Sequence, residues 1–266
     1  MNFRKAAEHL SRGIVFKRRL PSEFHRLPIY VSPEASLRYW LSMSKVDPML
    51  YRMARELVKP GAHVWDVGAN LGLFSFCAAA LAGPSGFVLA IEPDVWLAQL
   101  INRSSWRRKY SQACAAPVSA ACTAISDHSQ VSTLQISERS RAASHLSETA
   151  GSTQAQGSRL SLSTLSVPLD FLLDYFPAPT VLKIDTETHE TRVLQGALRR
   201  LETVRPVIWC EVSPENAKAV FDILSPLGYE LYAAAAPERV PLDRASRDTL
   251  ALPKPVAAGP AAKVPC

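Results

Sequence analysis

The chain has 266 residues, room for one or two domains. Hydrophobic residues make up 47% and charged residues 20%, a globular balance that excludes a wholly disordered chain and a fibrous repeat. Thirty Lys and Arg oppose 24 Asp and Glu, and most of the +6 excess lies in residues 1–30, where Arg4, Lys5, Arg12, Lys17, Arg18, Arg19 and Arg26 face only Glu8 and Glu23.

Residues 1–25 therefore read as a basic arm, within an N-terminal region of arm and helices over 1–59. The opening residues lack the apolar core of a signal peptide, and no run of about 18 apolar residues follows anywhere. A cytoplasmic protein with no integral membrane segment is expected. Leu41 to Val58 reads as a helix stopped by Lys59-Pro60-Gly61. His63–Val67 is a short apolar run that halts at Gly68, Leu71–Ala82 is helical in character, and Phe87–Ile91 is a second apolar run closed by Glu92-Pro93. Val95–Arg108 is again helical and carries a second basic cluster, Arg103, Arg107, Arg108 and Lys109. Ala120–Ile125 is a third apolar run. This alternation predicts a parallel sheet with crossover helices.

The alternation stops at residues 126–166, which hold twelve serines. A loop of that length in a domain is usually functional, and short strands fit around 131–136 and 160–167. Thr180–Ile184 resumes the strands, and Thr191–Thr203 places Leu194, Ala197, Leu198 and Leu201 on one helical face. Pro206–Cys210 is a fifth strand. Ser213-Pro214 is a helix start with Ser as cap, and Gly228 ends that helix. Tyr229–Tyr232 and Thr249–Leu252 read as strands, and 254–266 as a tail. The five cysteines, Cys77, Cys114, Cys122, Cys210 and Cys266, show no metal-ligand or disulfide spacing, so no metal site is expected.

The chemistry gathers where strands end. In Asp66-Val67-Gly68-Ala69-Asn70-Leu71-Gly72 a strand turns into a helix. Gly68 allows a close backbone approach, Asn70 tolerates left-handed geometry, and a helix N-terminus favours anions. Only two glycines remain, so this is not the dinucleotide fingerprint, and a nicotinamide dehydrogenase is disfavoured. Glu92 lies 26 residues after Asp66, where an acid can bind ribose hydroxyls. Asp127 follows the third run. Asp66, Glu92 and Asp127 are expected to line one crevice edge. A second cluster, Lys183-Ile184-Asp185-Thr186-Glu187-Thr188-His189-Glu190, puts a lysine in an apolar strand, where its charge requires a partner. Asp185 is the first candidate for a proton acceptor, with His189 and Glu187 beside it. Lys183 is expected to steady Asp185 as an anion, and Glu211 ends the fifth strand in the same way.

These segments, with Ile91-Glu92-Pro93, Ala124-Ile125-Ser126-Asp127, Leu182–Glu187, Val193-Leu194-Gln195-Gly196-Ala197, Arg205-Pro206 and Leu250–Pro253, resemble FkbM-type S-adenosylmethionine-dependent methyltransferases over residues 60–253. The resemblance implies an α/β class I methyltransferase Rossmann-like fold, a mostly parallel seven-stranded sheet with helices on both faces and one late antiparallel strand. It implies S-adenosyl-L-methionine as cofactor, with Asp66, Gly68, Asn70 and Gly72 around its methionine part, Glu92 on the ribose and Asp127 near the adenine or ribose edge. It further implies O-methylation of a small-molecule or saccharide hydroxyl. Where the family has Glu-Gly-x-Glu, this chain has Glu187-Thr188-His189-Glu190, so a tight turn is expected to be strained. Two rival readings are a cofactor-binding module without activity and an RNA methyltransferase. The second draws on the basic arm but lacks an Asn/Asp-Pro-Pro-aromatic run after the fourth strand.

Overall fold

The computed structural model describes residues 10–40, 42–108, 114–138, 140–147 and 157–255, with 107, 108 and 200 described in their backbone alone. Arg4, Lys5, Glu8, Lys109, Cys266 and the expected tail from residue 256 lie outside the described residues. The basic arm is in part a hairpin. Strand β1 (Phe16–Arg19) pairs antiparallel with β2 (Pro28–Val31), with Arg18 opposite Ile29. The helix expected from Leu41 begins only at Pro48: α1 covers Pro48–Leu57, after short 3-10 turns at 37–40 and 43–45. Asp47 accounts for the late start. A residue before proline is pushed out of helical geometry, and the Asp47 carboxylate accepts the Leu50 N–H at 2.9 Å as the cap.

The central sheet contains β3 (His63–Val67), β4 (Phe87–Ile91), β5 (Val118–Ala121), β10 (Val181–Ile184), β11 (Val207–Glu211), β12 (Tyr229–Ala233) and β13 (Asp248–Pro253). Their order across the sheet is β12-β13-β11-β10-β3-β4-β5. Only β13 runs against its neighbours. This is the seven-stranded, mostly parallel architecture with one late antiparallel strand that the resemblance implies. The sheet is covered on both faces, and strand alternation sorts the core. Val64, Val88, Ala90 and Val181 pack with α1, α2 (Leu73–Ala82) and α3 (Val95–Arg108). Trp65, Leu89, Ile91, Leu182 and Ile184 pack with α5 (Glu190–Gln195), α6 (Leu198–Thr203) and α7 (Ala217–Leu224). Nearly every residue of α2 is buried, which fits its apolar sequence on all sides. Among the described residues no helix is long and apolar enough to cross a membrane.

The run 120–125 is not one strand. It divides into β5 and the two-residue β6 (Ala124–Ile125), which belongs to a second sheet. The serine-rich segment builds that sheet. Its strands β7 (Gln130–Ser137), β8 (His145–Leu146) and β9 (Ser158–Val167) join β6 in the order β6-β9-β7-β8, so the short strands expected near 131–136 and 160–167 are present. A short helix, α4 (Leu169–Leu172), leads back toward the main sheet.

The single helix expected over 191–203 is two helices, α5 and α6, interrupted at Gly196. A Cβ at Gly196 would stand 2.1 Å from the Ser126 carbonyl oxygen and 3.2 Å from Pro168 Cα. The Gly196 carbonyl in turn accepts the Asp170 N–H at 3.0 Å. Tertiary contact therefore overrides the helical period. Gly196→Ala should destabilise the protein by about 3 kcal/mol, because backbone must move. Helix propensity alone would make it stabilising by about 1 kcal/mol. Urea denaturation of the two proteins distinguishes these signs.

Candidate active site

The chain leaves β3 for one side of the sheet and returns to β10 on the other. A crevice opens at such a reversal, at the carboxyl ends of the strands. A cavity of about 710 Å³ lies there. Its walls include Gly68 and Asn70 after β3, Glu92 after β4, Asp185, Thr186 and Glu187 after β10, and Glu211 at the end of β11. Arg38 and Asp47 close it from the N-terminal segment, and Arg141, His145 and Leu146 from the second sheet. Five of its lining side chains are acids and three, Arg38, Arg141 and Arg247, are guanidinium groups.

The β3 turn has the expected left-handed residues, with φ +75° at Gly68, 53° at Asn70 and +77° at Gly72. The glycines serve packing within the protein. A Cβ at Gly68 would fall 1.9 Å from the Asp185 carbonyl oxygen, so this glycine lets the ends of β3 and β10 meet. A Cβ at Gly72 would crowd the Phe76 ring at 3.0 Å and Ile101 at 3.3 Å, and Gly72 does not line the cavity. The Asn70 N–H donates to Glu92 Oε2 at 2.7 Å, and the Asp94 N–H donates to Oε1 at 2.9 Å. Burial nevertheless pushes the Glu92 carboxyl up to about 8, against those two donors.

Asp66 and Asp127 do not share the crevice edge as expected. Asp66 is fully buried and does not line the cavity. Its strand position faces α2, where Ser75 Oγ donates to Oδ2 at 2.6 Å, and Lys183 Nζ donates to Oδ1 at 3.0 Å. Asp127 is carried away by β6 into the second sheet. It accepts from Ser126 Oγ at 3.0 Å, and lies 2.8 Å from His128 Nδ1 and 3.5 Å from Arg192 Nη1. The expected single edge of three acids reduces to Glu92.

The second cluster does meet the cavity. Lys183 is opposite Asp66 in the parallel register of β3 and β10, and its Nζ also lies 3.3 Å from Asp185 Oδ2. Burial opposes the ammonium charge, but the two carboxylates outweigh it and raise the Lys183 pKa. Asp185 is 44% exposed, so one carboxylate is held by Lys183 and still open to the crevice. His189 is buried, with Nε2 3.1 Å from Ser126 Oγ. Glu211, opposed by burial and by the Asp185 charge, is raised in pKa although Arg247 donates to its Oε1 at 3.0 Å. Ser213 does not cap its helix; its hydroxyl donates to the buried Glu190 at 2.9 Å. Arg38, Asp47, Arg141 and Arg247 also line the crevice, and no local sequence pattern marks them. Among the described residues no three His, Cys, Asp or Glu side chains could hold a metal ion together.

The methyltransferase FkbM domain matches residues 66–231. The chain belongs to the FkbM methyltransferase family. No protein with a curated description matches the sequence. Among solved structures, an FkbM methyltransferase from Methylobacillus flagellatus KT is 15% identical over 76% of this chain and 50% of its own, with a TM-score of 0.45. The present chain thus spans half the length of that protein. A SAM-dependent O-methyltransferase from Thermotoga maritima is 13% identical over 76% and 62% of the two chains, with a TM-score of 0.41. Aeropyrum pernix fibrillarin is 10% identical over 91% and 85%, with a TM-score of 0.42.

The family's glycine between the two glutamates is Thr188 here, and its φ is 62°. A β-branched residue is costly in that region, and the Thr188 hydroxyl is buried without a hydrogen-bond partner. The Thr188 carbonyl accepts from Asn216 Nδ2 at 3.1 Å, which holds the strained turn. Thr188→Gly should raise stability by about 1 kcal/mol, the reverse of the usual glycine effect, as read by urea denaturation.

Glu92 supplies a pH prediction. Its carboxyl ionises near 4.5 unfolded and near 8 folded, so the folded state keeps a proton that the unfolded state releases. That contribution is complete below pH 4.5 and is lost as the pH rises to about 8. Relative to Glu92→Gln, the unsubstituted protein should lose stability across this window, measured by chemical denaturation at a series of pH values.

Proposed function

We infer that this FkbM-family protein methylates a hydroxyl of a small-molecule or saccharide acceptor, with S-adenosyl-L-methionine as the methyl donor. The observation that carries this reading is the Asn70–Glu92 arrangement at the reversal of the sheet. Both Glu92 oxygens are oriented by backbone N–H groups and keep lone pairs for a ligand's hydroxyls. Asn70 Oδ1 and Thr186 Oγ1 are buried polar atoms on cavity residues with no hydrogen-bond partner among the described residues. Buried polar atoms left so are uncommon in a finished core, and here they fit a polar ligand. The Asp185 and Glu187 carboxylates on the wall suit a ligand that carries sulfonium and ammonium charge.

Glu92 would hold the ribose, and Asn70 and the Gly68 turn would lie along the methionine part. When bound, the cofactor supplies an electrophilic methyl group. The protein's own part is orientation and proton management. Positioning a hydroxyl for in-line attack can supply about 7–11 kcal/mol of a barrier. Asp185 would take the hydroxyl proton; the reading is supported by Lys183 on one side of its carboxylate and by the exposure of the other to the crevice. Glu187 and His189 line the same wall. Lys183, itself held by Asp66, is a positioning residue that aims the Asp185 carboxylate.

Isothermal titration with S-adenosylhomocysteine, with NADH as control, tests the cofactor half. Micromolar binding of the first alone is expected, weakened about tenfold or more in Glu92→Ala. Equal binding in that variant overturns the assignment. Against a panel of hydroxylated acceptors, Asp185→Asn should lower kcat at least tenfold and leave the S-adenosylhomocysteine affinity within about twofold.

A further inference from the structure

Three arginines of the N-terminal hairpin take no part in the crevice. Arg18, Arg19 and Arg26 line a separate groove of about 480 Å³, with Trp40, Ser42 and Ser44 on its other side. Among the described residues none of the three has a carboxylate within ion-pair distance. The nearest acid in sequence, Glu23, is taken by Arg55, whose Nη1 lies 2.9 Å from both of its oxygens. Arg18 Nε is buried and has no hydrogen-bond partner. Arg19 Nη1 donates only to the Arg26 carbonyl, at 3.3 Å. Three unneutralised guanidinium groups around one groove repel one another, and such an arrangement is stabilised by an anion placed between them.

The remaining walls narrow the chemistry. The Arg18 guanidinium stacks on Phe16 at 4.5 Å, and the Phe16 ring lies 5.5 Å from that of Trp40. Stacking fixes the plane of Arg18, which leaves its N–H fork set for a tetrahedral oxyanion. Trp40 is 51% exposed, so its ring presents a free face at the groove. Ser42 and Ser44, 3.1 Å apart at their hydroxyls, offer neutral donors opposite the arginines. The turn that carries Arg26 is strained. His25 and Arg26 are consecutive non-glycine residues with φ of 55° and 52°. Such strained residues collect where a side chain must be presented to a ligand.

We propose that this groove is a second ligand site, which binds a phosphoryl group through Arg18, Arg19 and Arg26 and the ring to which that group is attached through Trp40. It is separate from the methyl-transfer crevice, and the segment that bears Arg38 and Trp40 forms the wall between them. Nothing in the proposal depends on the identity of the methyl acceptor or on the cofactor.

The test uses tryptophan fluorescence and calorimetry of the full chain with phenyl phosphate, inorganic phosphate and phenol. Phenyl phosphate should bind saturably and change the emission, inorganic phosphate should bind more weakly, and phenol should not bind. Arg18→Gln and Arg19→Gln should each weaken phenyl phosphate about tenfold, and added salt should weaken it further. Trp40→Leu should remove the advantage of phenyl phosphate over inorganic phosphate. Thermal melts and circular dichroism spectra like those of the unsubstituted protein establish that the variants are folded. A parallel sedimentation with phosphatidylinositol phosphate vesicles, whose headgroup phosphoryl is carried on a ring, identifies the source. Capture that Arg18→Gln abolishes assigns the phosphoryl group to a lipid headgroup, and capture absent beside phenyl phosphate binding assigns it to a free ligand. Failure of phenyl phosphate and of vesicles alike, or affinities that Arg18→Gln and Arg19→Gln leave unchanged, overturns the proposal.

Discussion

A single ammonium group organises the centre of this protein. Lys183 lies in the middle strand of a seven-stranded sheet, buried, with Asp66 at 3.0 Å and Asp185 at 3.3 Å. Removing one partner of such a group leaves an uncompensated buried charge, which typically costs about 3–5 kcal/mol. The register of β3 against β10 and the close approach of Gly68 to the Asp185 carbonyl are both needed to bring the three side chains together. Asp66 faces into the helical layer and Asp185 faces the crevice, so Lys183 connects the rigid interior to the reactive rim. The same contact that makes the charge tolerable also fixes the direction of the candidate base.

A second ionic cluster shapes the opposite wall. Glu34 from the N-terminal segment accepts from Arg141 Nε at 2.6 Å, from Arg159 and from the Gly13 N–H at 2.7 Å. Arg141 also pairs with the buried Asp94 at the start of α3, and its guanidinium lies 4.6 Å from the Trp96 ring centre. Burial works against the Glu34 charge, but these donors prevail and its pKa is lowered. Four parts of the chain thus meet at one point: the residues before α1, the start of α3, the loop before β8, and β9. The second sheet is tied to the main domain by this cluster, and the tie positions Arg141, His145 and Leu146 over the crevice.

The sequence carries some of this openly and hides the rest. The strands β3, β4, β10 and β11 are legible because apolar runs stop at Gly or an acid, and Glu92 and Asp185 follow directly from those stops. Asp66 was legible in position and misread in orientation. It stands two residues from Val64, on the face that meets α2, and the one serine among the first apolar residues of that helix is its partner. Asp127 is misplaced on the crevice edge by the sequence reading, because its position depends on a two-residue strand that leaves the main sheet after Ala121. Thr123 marks that departure by donating to the Leu165 carbonyl at 2.9 Å, a contact 42 residues away in sequence. Glu34 and Arg141 are 107 residues apart, and no local pattern links them. What was lost to sequence reading is long-range pairing of charge, whereas turns and apolar periods survived.

Thr188 shows where local and global demands conflict. The turn after β10 needs a left-handed residue, and threonine resists it by sterics and by a buried hydroxyl with no partner. The turn nevertheless keeps that geometry, because both ends are fastened. Asn216 reaches the Thr188 carbonyl and also donates to Glu190, and Ser213 donates to Glu190 as well. On the other side His189 is anchored at Ser126, whose carbonyl is the atom that excludes a side chain at Gly196. The strain at one residue is therefore opposed by contacts from the turn before α7, from the end of β6 and from the α5–α6 break. Substitution by threonine costs stability but leaves the backbone path, so Glu187 and His189 still reach the crevice wall.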